Sequence, residues 1–148
     1  MAELRDHVAV SVRGAYWLAQ HVHPHLVASR GSLVLLTSEA GFGGTMRLAP
    51  YAAVKASVRG LARSWAREWG ADGVRVNCVA PLAESPAVTQ AMAADPTMAE
   101  RVLGLHPLGR LGRPVEDIGP VVRFLLSEEA AYVTGMTVMV DGGNAPVT

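Results

Sequence analysis

Lysine is almost absent from this chain of 148 residues: twelve of its thirteen basic residues are arginine, and Lys55 stands alone. Cysteine is equally scarce. Cys78 by itself builds neither a disulfide framework nor a zinc site, and is expected to be a small core residue in a reducing compartment. No charge of either sign is in excess, since thirteen acidic residues balance the thirteen basic ones. The chain therefore lacks the electrostatic footprint that nucleic acid or an anionic membrane selects. Long apolar runs are missing too: a stretch such as Leu33 to Leu36 is far too short to span a bilayer. The opening residues, Met1 to His7, carry no basic block followed by an apolar one, so no signal peptide is read and the cytoplasm is the expected location.

What is present suits one compact domain, residues 1–148, with half of its residues apolar and enough length for one core. Leu4, Val8, Val12, Leu18, Val22 and Leu26 recur at helical spacing and predict a helix over 3–28, which Pro24 should kink or end. His21, His23 and His25 near its end suit a helix C-terminus better than a metal, since no carboxylate or cysteine accompanies them; no metal site is assigned. Leu33 to Thr37 is a short continuous apolar run, as in a strand buried on both faces. A second helix is predicted over 50–69, burying Val54, Val58, Leu61, Trp65 and Trp69, and a second strand over 74–80. Residues 82–113 are broken by Pro86, Pro96 and a Gly/Arg-rich stretch and fit a mobile lid. A third helix over 115–127 and a third strand over 136–140 complete an alternation that calls for a parallel α/β sheet with right-handed crossovers.

The chemistry concentrates between Ser38 and Lys55. Lys55 follows Tyr51 by four residues, one helical turn, and chance places a lone lysine four after some tyrosine roughly one time in fifty. A phenol is a weak base at neutral pH, and an ammonium one turn away stabilises its anion. A compact ammonium also suits a hydroxyl pair such as a ribose diol better than a guanidinium does. Ser38, at the carboxyl end of a strand, can hydrogen-bond a substrate oxygen while Tyr51 gives or takes its proton. Gly41, Gly43 and Gly44 lack the Gly-x-Gly-x-x-Gly spacing of a phosphate cradle and read as a flexible wall beside the site.

Ser38 thirteen residues before Tyr51-Ala-Ala-Val-Lys55 resembles the catalytic core of the short-chain dehydrogenase/reductase family. Further matches follow in the family's order: Arg75-Val-Asn77-Cys-Val-Ala-Pro81, then His106-Pro107 to Pro114, then Thr134-Gly135 to Asp141-Gly142-Gly143. The resemblance implies an α/β fold, a partial Rossmann-like, doubly wound parallel sheet consisting of three C-terminal strands and flanking helices. It implies an NAD(P)-dependent oxidoreductase moving hydride between NAD or NADP and a small alcohol or ketone. Tyr51 would be the general acid/base, Lys55 would grip the nicotinamide ribose and Ser38 would orient the substrate oxygen. Ser11 stands where the family carries a relay asparagine. The family's cofactor contacts after the second strand fall on Pro81, Leu82 and Ser85, with Leu82 in place of a glycine.

Relative to the family, the chain starts just before the helix that precedes Ser38's strand, so the glycine-rich adenosine and pyrophosphate half of the cofactor site falls outside it. The strand ending at Ser38 would then present an open edge, which invites pairing with another chain. A homo-oligomer, or a hetero-oligomer with a full-length relative, is therefore expected. Two other readings stand beside the oxidoreductase: a non-catalytic assembly subunit, and a cofactor-free dehydratase or isomerase reusing Tyr51 and Lys55.

Overall fold

The computed structural model describes residues 2–95, 97, 100, 104 and 106–145. Three parallel strands form one sheet in the order β1 (Ser32–Leu36), β2 (Arg75–Pro81), β3 (Thr137–Val140). Leu33 lies opposite Val76, Leu35 opposite Cys78, and Val79 opposite Val138. Parallel neighbours cannot be joined by a tight turn, so each connection crosses over through helices. The first crossover is α4 (Ala49–Glu68), preceded by the short α3 (Ala40–Gly43). The second carries α5 (Pro86–Ala94) and α6 (Gly119–Leu126). Pro96, read from the sequence as a chain break, lies outside the described residues.

The central strand β2 is buried on both faces, while β1 and β3 are partly exposed. Alternation along β2 divides the core. Val76 and Cys78 face Ala62, Trp65 and Trp69 of the α4 layer, while Val79 faces Ile118 and Leu125 on the α6 side. Burial pushes the Cys78 thiol up to about 11, which fits its place as a core residue. Among the described residues no helix is long and apolar enough to cross a membrane.

The first helix differs from expectation in the phase of its buried stripe. It runs as α1 (Ala2–His7), a wider π turn over Val8–Arg13, and α2 (Gly14–Ser29). A π turn uses one residue more than an α turn, so the buried stripe beyond it is read one position later. Ala19 is fully buried, and Leu18 is half exposed. Pro24 does not end the helix, which continues to Ser29 and closes on Arg30 in the left-handed conformation. Gln20, whose carbonyl loses its partner at Pro24, is exposed and can be served by water.

The stretch expected as a mobile lid is anchored over residues 106–117. Leu111 is buried, and Gly112 forms a parallel bridge with Ala83. Asp117 receives two bonds from Arg110, at 2.6 and 3.0 Å, and one from the Arg113 backbone N–H at 2.7 Å. The Arg110 guanidinium, together with the Arg113 donors, holds the Asp117 carboxyl well below the usual carboxylate range. Because the native value is depressed, this anchor is fully present above the ordinary carboxylate range and is lost as pH falls through the native value. Exchange protection of the Arg113 amide should therefore decline on acidification, and Asp117→Asn should abolish that dependence.

Asn77, with no exposed surface, ties the last crossover to the sheet. Its Nδ2 donates to the Val133 carbonyl at 2.8 Å and its Oδ1 accepts from the Met136 N–H at 3.1 Å. Thr134 Oγ1 accepts from the Val76 N–H at 3.0 Å on the same turn. Asn77→Leu removes both bonds made from this fully buried position, and should lower stability by about 2–3 kcal/mol in urea unfolding.

Candidate active site

Ser38 stands two residues past the end of β1, at the carboxyl end of the sheet where a parallel fold opens its crevice. Its Oγ accepts a bond from the Ala40 N–H at 3.3 Å, which starts the short turn of α3. Tyr51 and Lys55 occupy the first two turns of α4, whose opening Pro50 needs no backbone donor. The Lys55 ammonium lies 5.7 Å from the centre of the Tyr51 ring. The same ammonium donates to the Leu36 carbonyl at 3.0 Å. His7 of α1 meets the Tyr51 ring edge-on, with centres 6.1 Å apart.

The turn bearing Ser38 is locked to α4 on both sides of the serine. Thr37 Oγ1 donates to the Lys55 carbonyl at 2.9 Å. Gly41 lies against the α4 backbone so closely that a Cβ would stand 2.8 Å from the Ala56 nitrogen and 2.9 Å from the Lys55 carbonyl carbon. Phe42 adds a third tie, with the Arg59 guanidinium 3.7 Å from its ring centre. Thus residues on both sides of Ser38 touch the helix that carries Tyr51 and Lys55. Of the glycines expected to form a flexible wall, Gly41 and Gly43 instead lie in α3, which Gly44 closes at positive φ, and Gly41 is buried.

Ser11 sits in the π turn, one turn beyond His7, and its carbonyl accepts the Gly14 N–H. That turn packs on α4, so Ser11 shares the helix layer of Tyr51 and Lys55. Pro81 ends β2, and Leu82 continues the ladder by donating its N–H to Val140 at 3.0 Å. Ser85 Oγ accepts the Val88 N–H at 3.2 Å and so caps α5. The hydroxyl proton of Ser85 is left for another acceptor, and Pro81, Leu82 and Ser85 together border the open end of β2. Two of the three histidines make local contacts: His21 Nδ1 bonds the Trp17 carbonyl at 2.7 Å, and His23 stacks on Trp69 at 4.3 Å.

A family model described as enoyl-(acyl carrier protein) reductase matches residues 1–145. The chain belongs to the short-chain dehydrogenase/reductase family. It is 38% identical over 138 residues to a tropinone reductase homolog of Arabidopsis thaliana, covering 93% of this chain and 51% of that protein. It is 39% identical over 139 residues to a 3-oxoacyl-[acyl-carrier-protein] reductase of Thermotoga maritima, covering 92% and 54%. Among solved structures, a gluconate 5-dehydrogenase from Burkholderia cenocepacia in complex with NADP and tartrate superposes with a TM-score of 0.87 at 27% identity, covering 95% and 55%. The chain thus spans about half the length of the relatives it matches.

Within this short-chain dehydrogenase/reductase chain, sequence reasoning missed Thr37, His7, Arg59 and the seat of Gly41. Arg59 carried a readable signal, since Tyr51, Lys55 and Arg59 repeat every fourth residue and form one helical row. Glu39 is a further omission: its Oε2 accepts from Asn144 Nδ2 at 3.0 Å, joining the segment after β3 to the turn after β1. That pair is 105 residues apart in sequence and had no local signal. Gly41→Ala forces a Cβ into helix backbone and should cost about 1–3 kcal/mol, read as a lowered midpoint in thermal or urea unfolding.

Proposed function

We propose that these 148 residues carry the catalytic half of an NAD(P)-dependent oxidoreductase acting on a small alcohol or carbonyl compound. The carrying observation is the convergence of the Ser38 turn on the helix row of Tyr51 and Lys55, through the Thr37 bond and the Gly41 seat. The donor set fits a nicotinamide dinucleotide. One ammonium suits the hydroxyl pair of a ribose, and a serine and a tyrosine hydroxyl suit one substrate oxygen. Similarity to a gluconate 5-dehydrogenase crystallised with NADP supports the same cofactor class.

Ser38 Oγ donates to the substrate oxygen and holds it toward Tyr51. Tyr51 Oη delivers a proton to that oxygen in reduction and removes it in oxidation. Lys55 Nζ binds the ribose hydroxyls and keeps positive charge beside the phenol. Ser11 supplies a hydroxyl in the adjoining helix layer where the family places a proton-relay asparagine, and Pro81, Leu82 and Ser85 flank the nicotinamide end. The dinucleotide, when bound, supplies or accepts the hydride. The adenosine end is left to the α/β half of the family fold that lies outside these residues. The exposed Tyr16, Trp17 and Leu18 of α2 offer an apolar face to a second copy, and a monodisperse monomer of 15.6 kDa in solution would count against that assembly.

The test is made on the chain completed with the N-terminal half of a relative. Calorimetric titration with NADH and NADPH should show micromolar binding, about 8 kcal/mol. Tyr51→Phe should lower kcat by about 100-fold or more while leaving dinucleotide affinity within a few-fold. Full turnover in Tyr51→Phe or Ser38→Ala would overturn the assigned roles.

A further inference from the structure

The Tyr51 hydroxyl makes no hydrogen bond to another described residue, so its aim depends on the contacts of its ring. The helix that carries Tyr51 supplies little of that aim. A helical side chain is normally confined by the turn before it, which excludes the χ1 rotamer near +60°. Tyr51 is the third residue of α4, and the chain enters that helix through Arg47 at φ 65° and Leu48 at φ −120°, so no helical turn lies before it. As far as α4 is concerned, every staggered rotamer is open to the phenol.

Two groups meet the ring. Lys55 comes from the next turn of the same helix, with Nζ 5.7 Å from the ring centre. His7 comes from another element: the two rings stand at 66° with centres 6.1 Å apart, within the range of T-shaped aromatic pairs. The π turn that follows His7 brings it there. An unbroken α-helix would carry the face of the buried Ala19 back through Ala15 to Val12 and Val8, and the extra residue in Val8–Arg13 moves that face to Ser11 and His7. Both α1 and the π turn pack on α4. One backbone insertion thus replaces a valine with an imidazole at the ring of the candidate acid.

We propose that His7 is a positioning residue for Tyr51. Its ring closes off the alternative rotamers of the phenol and leaves Oη directed at the oxygen that Ser38 holds. No proton passes through His7 in this role. The aromatic ring is what acts, so phenylalanine can stand in for it. The proposal rests on the reading of Tyr51 given above, but the ring contact itself is measured without cofactor or turnover.

With three tyrosines in the chain, carbon-13 and nitrogen-15 labelled tyrosine gives three sets of couplings to Cγ that report χ1, and Tyr51→Phe identifies the Tyr51 set. In the unaltered chain the Tyr51 couplings should be those of one rotamer, and cross-relaxation should join its ring protons to those of His7. Averaged couplings, or no cross-relaxation between the two rings, would overturn the proposal. In His7→Ala, with slow exchange at the Val76 and Cys78 amides showing that the sheet is folded, the couplings should become averaged; in His7→Phe they should stay those of one rotamer. A single Tyr51 rotamer in His7→Ala would count decisively against it. Turnover is then measured in the chain completed with the N-terminal half of a relative. His7→Ala should lower kcat about tenfold with KM and dinucleotide affinity within about twofold, and His7→Phe should recover kcat to within about threefold. A His7→Phe enzyme as slow as His7→Ala would remove the ring contact as the cause. Full turnover in Tyr51→Phe would overturn the role of Tyr51 and this proposal with it, whereas normal turnover in His7→Ala beside an inactive Tyr51→Phe would overturn the role of His7 alone.

Discussion

The absence of a side chain at Gly41 sets the spacing on which the site depends. The turn after β1 approaches the α4 backbone until a single methyl would stand inside van der Waals distance of Lys55 and Ala56. That contact, with the Thr37 bond to the Lys55 carbonyl, leaves little freedom between the turn that carries Ser38 and the helix that begins near Tyr51. Close packing transmits any displacement there directly into the distance between two candidate catalytic hydroxyls.

The rest of the fold holds those two elements in place. β2 is buried on both faces and keyed to each layer by alternating side chains. Arg75 reaches the carbonyls of Leu125 at 2.8 Å and Ser127 at 2.9 Å, and Asn77 fixes the turn before β3. These polar ties explain two family motifs without reference to catalysis. Arg75-Val-Asn77 and Thr134-Gly135 are the two halves of one hydrogen-bonded junction between the α6 end and the sheet. The Glu39 to Asn144 bond then closes the carboxyl end of the sheet across β2.

The order of elements, the parallel sheet and the α4 stripe were all readable, because buried strands show continuous apolar runs and a core-facing helix repeats every 3.6 residues. The phase of the first helix was not. Its π turn inserts one extra residue, and no composition rule marks where that insertion falls, so Leu18 was assigned inward and Ala19 took its place. Which of the two expected effects Pro24 has was not readable either, since the helix runs on past it to Ser29 and the cost of the orphaned carbonyl depends on whether it meets water, a property of the folded surface. The Gly/Arg-rich loop read as mobile because glycine permits many conformations, whereas the Arg110 and Arg113 clamp on Asp117 selects one.

By itself the sequence determined the family and the parallel α/β class and singled out the candidate side chains, since each follows from residue type at short, fixed spacing. Only the tertiary structure decided how those side chains are held. The close seat of Gly41, the contact of His7 with Tyr51, the Glu39 tie to Asn144 and the engagement of Lys55 by the Leu36 carbonyl all join separate elements. Local spacing encodes which groups a helix or strand presents. The distances between elements are set by packing, in which a missing methyl or one ring contact outweighs any local pattern.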